Sequence, residues 1–400
     1  MGFQQVSVGD LQGLATTAGK VLEQVGASAV APNPSKAAPT FTSVAIAELC
    51  GIARDQLKYL TAKYDLPAGL KIAGSRAKAY SLEDAITFVQ ALAPHPERPL
   101  GKSGKVLTFC NHKNDVGKTS TAVALAQAMT LRGFRVLIID CDVQGAATRL
   151  CGIGMERQAI NAGSLMPYLR GDQPNLRYAV VPTYWHNLSL IPASSALLAA
   201  EFALPARAVQ ASGCRRWEVL ANGIEALRED FDLIVIDTAP GLSQLTVNAI
   251  VAADGLTMCC PPDALEFAAS VQFWRMCAEL LATLPGAQDK KYDFVTIVYT
   301  KVQPGDAARL VKTWMARAYG AHIGSAEIPD SPVARAAATQ GKTIYDLIRR
   351  EGGADAHRRY KEPLDRLADA LMDALALAWD AKAKQTAPAV ETQQYAASAA

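Results

Sequence analysis

One stretch of this chain decides its fold: 106-VLTFCNHKNDVGKTSTAVALAQAM-129. The apolar run 106–110 predicts a buried strand, a short polar loop follows it, and an alanine-rich helical pattern begins at Gly117. A strand, a loop and a helix in this order are typical of a phosphate-binding loop, in which backbone N–H groups and the helix N-terminus face an anion. The usual G-x-x-x-x-G-K-[ST] pattern is only partly met, because His112 stands in place of the first glycine.

Strand-like apolar runs alternate with alanine-rich helical stretches from Lys105 onward. This alternation predicts an α/β fold with a doubly wound, mostly parallel sheet, as in P-loop nucleotide-binding proteins. The predicted strands are 106–110, 135–140, 188–191, 232–237, 255–260 and 293–299. Ligands of such sheets bind beyond the carboxyl ends of the strands, so acidic residues at those ends are candidates for the site.

The composition is typical of a soluble globular protein, with 400 residues of which 50% are hydrophobic and 20% are charged. The net charge is only +2, so any nucleic-acid binding must depend on local basic patches. The eight cysteines form no C-x-x-C pair, which favours reduced thiols over zinc sites or disulfides. No apolar stretch reaches the roughly 18–20 residues of a membrane helix, so we expect a cytoplasmic protein without membrane attachment.

Segments rich in proline, alanine and serine divide the chain into predicted domains. The predicted units are an N-terminal helix and linker at 1–40, a small, mainly α winged helix-turn-helix domain at 41–93, a linker at 94–104, the nucleotide-binding domain at 105–384 and a disordered tail at 385–400. The tail is rich in Ala, Gln and Thr, a composition that favours disorder because it buries little apolar surface.

Four segments carry the predicted nucleotide site. Gly117 allows the backbone to approach a phosphate, Lys118 adds a positive charge for the β- and γ-phosphates, and Thr119 offers a hydroxyl to Mg²⁺. Asp142 and Asp237 follow buried strands and are expected near the metal, although an acid after a strand is common and by itself more often only caps the next helix. The segment 327–337, which is rich in turn-forming residues, is expected to border the base. The predicted nucleotide-binding residues are Lys113, Asn114, Asp115, Val116, Gly117, Lys118, Thr119, Ser120, Pro329 and Asp330, and the predicted metal ligands are Thr119, Asp142 and Asp237.

These motifs resemble those of the ParA family of plasmid and chromosome partition ATPases, which have a deviant Walker loop. The family's loop, K-G-G-x-G-K-[ST], corresponds to 113-KNDVGKT-119, and its D-x-D-x-Q-G and D-T-x-P patterns are present at 140–145 and 237–240. The resembling segments are 105–150, 231–270 and 327–347.

The resemblance implies a mechanism that uses ATP and Mg²⁺, with Lys113, Lys118, Asp142 and Asp237 as the catalytic residues. Lys113 would cross to the ATP of a partner subunit, Asp142 would orient the attacking water, and Asp237 would hold the Mg²⁺ shell through water. It also implies a nucleoid-associated homodimer that binds DNA, and a centromere-binding, ParB-like partner that stimulates hydrolysis. Repression of its own operon would be a further role.

Asn114 and Asp115 replace two glycines of the family's loop. Asn and Asp tolerate positive φ better than other non-glycine residues, so the loop can still form. A carboxylate near the triphosphate is unfavourable, because two like charges about 5 Å apart repel by roughly 3 kcal/mol at an effective dielectric constant of 20. We therefore expect weaker ATP binding and weak hydrolysis, unless Asp115 points away or is paired with a base. The candidate bases are Lys105, His112 and Lys102.

The segment 42–92 is predicted to be a winged helix-turn-helix, similar to the MerR-like N-terminal unit of the larger ParA proteins. Ser43 is the expected N-cap of a first helix, 44–50, and the helix 53–64 is expected to follow a turn at Gly51. The predicted DNA-binding residues are Arg54, Gln56 and Lys58 on the second helix, Arg76 and Lys78 in a basic wing, and Arg349 and Arg350 in a C-terminal basic cluster that would bind DNA without sequence preference. The alternative is a helical interaction domain whose basic residues form a solvated face.

We therefore expect a DNA-partition ATPase, with three rivals. A nucleotide-gated transcriptional repressor or DNA scaffold with little or no hydrolysis would be favoured by Asp115. A membrane-surface positioning ATPase of the Min type needs a basic amphipathic C-terminal helix, whereas 363–379 is acidic. A metabolic kinase would need an acceptor-substrate motif, and none stands out.

Overall fold

The structure is a computed structural model that describes residues 7, 9–10, 12–14, 16–18, 20, 36–72, 74, 77–93, 97–153, 163–210, 215–347 and 353–379. The chain divides into two compact units, 1–37 and 38–400. In the first unit, the described residues from 9 to 20 are helical. The predicted tail 385–400 and the predicted DNA-binding residues Arg76, Arg349 and Arg350 lie outside the described residues.

The second unit contains the strands and helices of an α/β protein. The strands are β1 Phe41–Thr42, β2 Leu70–Lys71, β3 Lys78–Tyr80, β4 Lys105–Phe109, β5 Val136–Cys141, β6 Val181–Pro182, β7 Leu188–Ile191, β8 Leu233–Thr238, β9 Gly255–Cys260, β10 Phe294–Val302 and β11 Ile323–Pro329. The helices are α1 Ser43–Cys50, α2 Arg54–Lys63, α3 Leu82–Leu92, α4 Lys118–Thr130, α5 Ala146–Leu150, α6 Met166–Arg170, α7 Ala200–Gln210, α8 Val219–Glu225, α9 Gln244–Ala252, α10 Ala264–Thr283, α11 Asp306–Tyr319, α12 Pro332–Thr339 and α13 Ala354–Ala378. Within the described ranges, no helix is both long enough and apolar enough to span a membrane.

Strands β4 to β11 form one sheet in the order β11-β10-β9-β4-β8-β5-β7-β6. Neighbouring strands are parallel, except that β6 pairs antiparallel with β7. The chain leaves β4 for β5 on one side, and later passes from β8 to β9 on the other side. The carboxyl end of β4 is therefore a topological switch point, where ligands of open α/β sheets bind. The predicted doubly wound, mostly parallel sheet is confirmed.

Side chains of the central strands alternate between two apolar cores. Leu107 and Phe109 of β4 join the core that contains α4 and α13, whereas Val106 joins the core that contains α8 and α9. Ile138 and Leu137 of β5 divide in the same way. This period of two and the burial of both faces are typical of a parallel sheet covered by helices on each side.

The six predicted strands correspond to β4, β5, β7, β8, β9 and β10, with bounds that shift by a few residues at most. The edge strands β6 and β11 escape the sequence pattern. β6 has only two residues. In β11 only Ala326 and Ile328 are buried, because polar residues and a glycine interrupt the apolar pattern along this edge. The segment 327–337, expected to be turn-rich, therefore includes the end of β11 and most of α12.

The first 55 or so residues of the second unit combine a small sheet, in the order β1-β3-β2, with α1, α2 and α3. Thr42, and not Ser43, caps α1: its backbone is extended, and its hydroxyl accepts a hydrogen bond from Ala45 N at 3.2 Å. Ser43 is already helical and cannot take that role. Helices α1 and α2 followed by the β2–β3 ribbon have the order of a winged helix-turn-helix, and DNA binding by this part of the chain stays a prediction.

Helix α3 contributes side chains to two apolar cores, one of which also contains side chains of the large sheet. Leu82 and Ile86 belong to the same core as α4, and Gln90 Nε2 donates a hydrogen bond to Gly133 O at 3.0 Å. Arg98 lies in the predicted linker 94–104, and its Nη1 donates to the carbonyls that precede β8. This linker is thus fastened to the sheet at Arg98, and the proposed domain boundaries stay predictions.

Candidate nucleotide site at the switch point

The phosphate-binding loop connects β4 to α4 and is anchored at both ends. Asn111 holds its start: the side-chain amide donates to a carbonyl of β9 at 2.6 Å, and Oδ1 accepts from Lys113 N at 3.0 Å. Thr300 of β10 holds its end, because Oγ1 donates to Val116 O at 2.7 Å. Gly117 caps α4 with φ 81°, a left-handed conformation that glycine adopts without strain. The loop is therefore preorganised for an anion at the N-terminus of α4.

Lys118 and Asp237 form a buried ion pair beneath the loop. Lys118 Nζ lies 3.5 Å from Asp237 Oδ1, and the two side chains are 6% and 0% exposed. The Thr119 hydroxyl lies beside the carboxylate, yet neither oxygen of Asp237 has a hydrogen bond of good geometry within the described residues. Burial raises the pKa of Asp237, and the charge of Lys118 opposes that shift. A buried carboxylate of this kind is costly unless an ion or water completes its surroundings.

Asp140 organises the turn that carries Asp142. Oδ2 of Asp140 accepts hydrogen bonds from the backbone N and the hydroxyl of Thr148, at 2.8 and 2.7 Å, and Oδ1 accepts from Asp142 N at 3.1 Å. Burial, with Asp237 paired to it across β5 and β8, raises the pKa of Asp140 to about 7. Asp140 therefore fixes the turn from inside the protein, while the half-buried Asp142 is the acid presented to the site.

A cleft of about 240 Å³ lies beside the loop, between α4, the ends of β10 and β11, and α12. Five of the predicted nucleotide-binding residues line it: Asp115, Gly117, Ser120, Pro329 and Asp330. Val116 does not, because its side chain is 2% exposed and packs in the core, which leaves only its backbone for a ligand. The carboxylate of Asp330 is bound by Arg335, whose hydrogen bond lowers the pKa of Asp330. This end of the cleft thus contains an ion pair.

Lys113 is bound to its own chain. Its Nζ lies 3.2 Å from Oε1 of Glu266, in the first turn of α10, and the two side chains are 37% and 22% exposed. The backbone N–H of Lys113 is held by Asn111, so only the side chain is free to change its direction. Partly exposed ion pairs of this kind stabilise by at most about 1 kcal/mol, so the ammonium can exchange partners.

Asp115 is paired with a base that the sequence did not indicate. Its Oδ1 lies 2.6 Å from Nζ of Lys301, near the end of β10, and the expected partners Lys105, His112 and Lys102 are therefore wrong. Lys105 instead forms an ion pair with Asp293. The physical reason is topological, because β10 brings its carboxyl end beside the loop, whereas Lys105 is at the opposite end of β4.

The donor atoms at this site fit a magnesium nucleotide. A buried lysine, a threonine hydroxyl and a carboxylate that has no hydrogen bond of good geometry within the described ranges lie together at the N-terminus of α4. Mg²⁺ prefers oxygen ligands and usually shares its shell with water and substrate phosphates. Among the described residues, no three His, Cys, Asp or Glu side chains form a metal site by themselves, so any Mg²⁺ here needs a phosphate or water to complete its shell.

Among the described residues that are predicted to bind DNA, some side chains are exposed and others form hydrogen bonds within the protein. Arg54 and Lys58 are exposed on α2. Gln56 Oε1 accepts from Ala53 N at 3.3 Å and thereby caps α2, and Lys78 Nζ donates to Ala68 O at 2.7 Å. Near the C-terminus, the described basic residues Arg335, Arg358 and Lys361 each form an ion pair with an acid.

The sequence did not identify Glu266, Lys301, Thr300 or Asn111 as functional residues. Each lies at or just beyond the carboxyl end of β4, β9 or β10, the same edge at which Asp142 and Asp237 were recognised. The rule that was applied to acids after strands would have found Lys301 and Glu266 if it had included every charged residue at that edge.

Known proteins similar to this chain include partition proteins. A family model described as an AAA domain matches residues 104–284. Protein SopA of Escherichia coli strain K12 is 34% identical over 178 residues, which are 44% of this chain and 46% of SopA, so the chain spans about half the length of that relative. Chromosome partitioning protein ParA of Caulobacter vibrioides strain NA1000 / CB15N is 31% identical over 251 residues, which are 61% of this chain and 88% of that protein.

A solved structure has a similar fold. Cobyrinic acid a,c-diamide synthase from Mycobacterium smegmatis, with a bound ATP analogue and magnesium, is 25% identical. It superposes with a TM-score of 0.52 over 67% of this chain and 94% of its own.

Proposed function

Because this chain belongs to the ParA family of partition ATPases, we propose that it binds ATP and Mg²⁺, dimerises around the nucleotide and binds DNA in that state to segregate a plasmid or chromosome. The observation that carries this proposal is the buried ion pair of Lys118 and Asp237; among the described residues, the carboxylate of Asp237 has no hydrogen bond of good geometry. A protein that kept this fold only as a scaffold would gain stability by replacing such a pair with apolar residues.

Phosphoryl transfer needs positioning of the reacting groups and neutralisation of charge, and different residues of this chain provide these functions. Lys118 and the N-terminus of α4 bind the β- and γ-phosphates. Thr119 and Asp237 would hold Mg²⁺, which would supply positive charge to neutralise the phosphate oxygens. Asp142, whose turn is fixed by Asp140, orients the attacking water.

Lys113 couples the nucleotide to dimerisation. In this structure its ammonium is bound to Glu266. In the ATP-bound dimer it leaves Glu266 and contacts the triphosphate of the partner subunit, so that ATP stabilises the dimer and hydrolysis releases it.

The proposed role in segregation depends on DNA binding. Arg54 and Lys58 on α2 contact an operator, through which the protein represses its own operon, and the ATP-bound dimer also coats DNA without sequence preference. This DNA binding places the ATP-bound dimer on the nucleoid, and a centromere-binding, ParB-like partner stimulates hydrolysis, which releases the dimer from DNA.

The test is DNA binding by the purified full chain in three nucleotide states. Fluorescence anisotropy with a random-sequence duplex is measured with Mg²⁺-ATP, with Mg²⁺-ADP and without nucleotide, over a range of salt concentrations. We expect tight binding with ATP only, and a logarithm of affinity that falls linearly with the logarithm of salt. Equal affinity in all three states would contradict the proposal.

Two variants give this experiment its controls. Lys118→Ala should lose both ATP binding and ATP-dependent DNA binding. Lys113→Gln should bind ATP and still fail to bind DNA, because it does not dimerise. ATP-dependent DNA binding without any phosphate release, even with the partner present, would favour the nucleotide-gated repressor or scaffold.

A further inference from the structure

The ion pair between Asp115 and Lys301 lies at the mouth of the cleft, and both residues have unusual backbones. Asp115 has φ 56° and Lys301 has φ 50°. Among the described residues only four non-glycine residues have positive φ, and the other two are Asp65 and Asn187. Asp and Asn are the types that tolerate this conformation, whereas a lysine is strained there. Strain of this kind is commonly retained at ligand sites.

The backbone of Lys301 is held at the loop by its neighbours. Thr300 donates a buried hydrogen bond to Val116 O at 2.7 Å, which fastens the end of β10 to the residue after Asp115. On the other side, Asp330 N donates to Val302 O at 3.1 Å. The Lys301 side chain is 38% exposed and lines the cleft together with Gly117 and Ser120. Its ammonium therefore lies between the loop and the cleft.

Acidic and basic side chains form ion pairs beside the ends of β10 and β11. Lys301 binds Asp115, and Asp330, which also feels the charge of Lys301, is bound by Arg335. Two acids and two bases thus form two ion pairs at one end of the cleft, whose lining also includes Lys342. Without Lys301 the loop would present an uncompensated carboxylate to an incoming polyphosphate.

We propose that Lys301 is a specificity-determining residue of the nucleotide site, whose ammonium cancels the charge of Asp115 and so allows a loop that contains an acid to accept a nucleoside polyphosphate. This inference rests on the proposed function, because it concerns the same cleft. The pairing with Lys301 provides the compensation under which Asp115 was not expected to weaken binding: the two residues act as one neutral unit beside the phosphates.

The size of the effect follows from the exposure of the pair. Asp115 is 91% exposed, so its field is screened by water. At about 5 Å in water, one unit charge changes the affinity for a singly charged group by about fourfold, and partial burial of the phosphates raises this factor. We expect Lys301→Gln to weaken Mg²⁺-ATP binding by roughly four- to tenfold, and Asp115→Asn to strengthen it by a similar factor. The double variant should return close to the wild-type affinity.

Isothermal titration calorimetry with Mg²⁺-ATP and Mg²⁺-ADP on the full chain tests this proposal. A pair that acts by charge gives opposite signs for the two single variants and a smaller effect for ADP than for ATP. Lys301→Arg keeps the charge and should keep the affinity. Lys312→Gln is the matched control, because Lys312 pairs with Glu327 and does not line the cleft.

A purely structural ion pair would give a different pattern. Weakening by the same factor in both single variants, or no change in either, would overturn the proposal while the nucleotide site itself stands. A wild-type protein that binds no Mg²⁺-ATP at millimolar concentration would overturn the proposed function and this inference with it.

Discussion

If Lys113 leaves Glu266 when the dimer forms, as proposed, Glu266→Gln should strengthen ATP-dependent dimerisation. The two charges are 3.2 Å apart and their side chains are 37% and 22% exposed, so each pair stabilises the monomer by about 0.5–1 kcal/mol. Two pairs break for each dimer that forms. The variant should therefore gain about 1–2 kcal/mol, a dimer dissociation constant about five- to thirtyfold lower.

Sedimentation velocity measures this constant over a concentration series, with Mg²⁺ and a non-hydrolysable ATP analogue. Glu279→Gln, an exposed acid on the same helix, is the matched control and should leave the constant unchanged. Adding Lys113→Gln should abolish dimerisation in either background. A Glu266→Gln variant that dimerises as weakly as the wild type, or more weakly, would refute the reasoning.

Three further predictions concern the buried acids and α2. Burial raises the pKa of Asp140 to about 7, so the folded protein holds a proton that the unfolded chain loses, and stability falls as pH rises. Between pH 5 and pH 8 this amounts to roughly 2–3 kcal/mol. Urea unfolding should show that Asp140→Asn reduces this slope, to which the raised pKa of Asp237 also contributes, while Asp289→Asn, on the surface, leaves it unchanged; an unchanged slope in Asp140→Asn would contradict the role of Asp140. In thermal unfolding, Asp237→Asn should lose the part of the ATP stabilisation that depends on Mg²⁺, and equal stabilisation in Mg²⁺ and in EDTA by the wild type would contradict the role of Asp237. Arg54→Glu combined with Lys58→Glu should abolish the shift of operator DNA with ATP binding intact, and a normal gel shift would show that α2 is not the recognition helix.

The central part of the fold could be predicted because it is buried on both faces. The strands β4, β5, β8 and β9 are fully apolar runs, apart from Lys105, the threonines and the terminal acids, and such runs indicate a parallel sheet without knowledge of contacts. β11 could not be recognised, because only Ala326 and Ile328 of this edge strand are buried. The cap of α1 was misplaced by one residue because Thr42 and Ser43 are both good capping residues, and only the backbone conformation separates them.

The candidate site could be predicted where its chemistry is local in the sequence. Gly117, Lys118 and Thr119 lie within one loop, and Asp237 ends an obvious strand. The partners of the charged residues could not be predicted in the same way. Thr300, the neighbour of Lys301, contacts a loop residue 184 positions away, and only the sheet order brings the two together. The same holds for Lys113 and Glu266, which are 153 positions apart.

The most direct test of the central claim is isothermal titration calorimetry of Mg²⁺-ATP with the purified full chain. The buried Lys118–Asp237 pair and the neutral Asp115–Lys301 pair predict a single site with micromolar affinity, about −8 kcal/mol, that weakens when Mg²⁺ is removed. No binding up to millimolar ATP would contradict the account, and the protein would then be a DNA-binding regulator built on a fold that has lost its nucleotide.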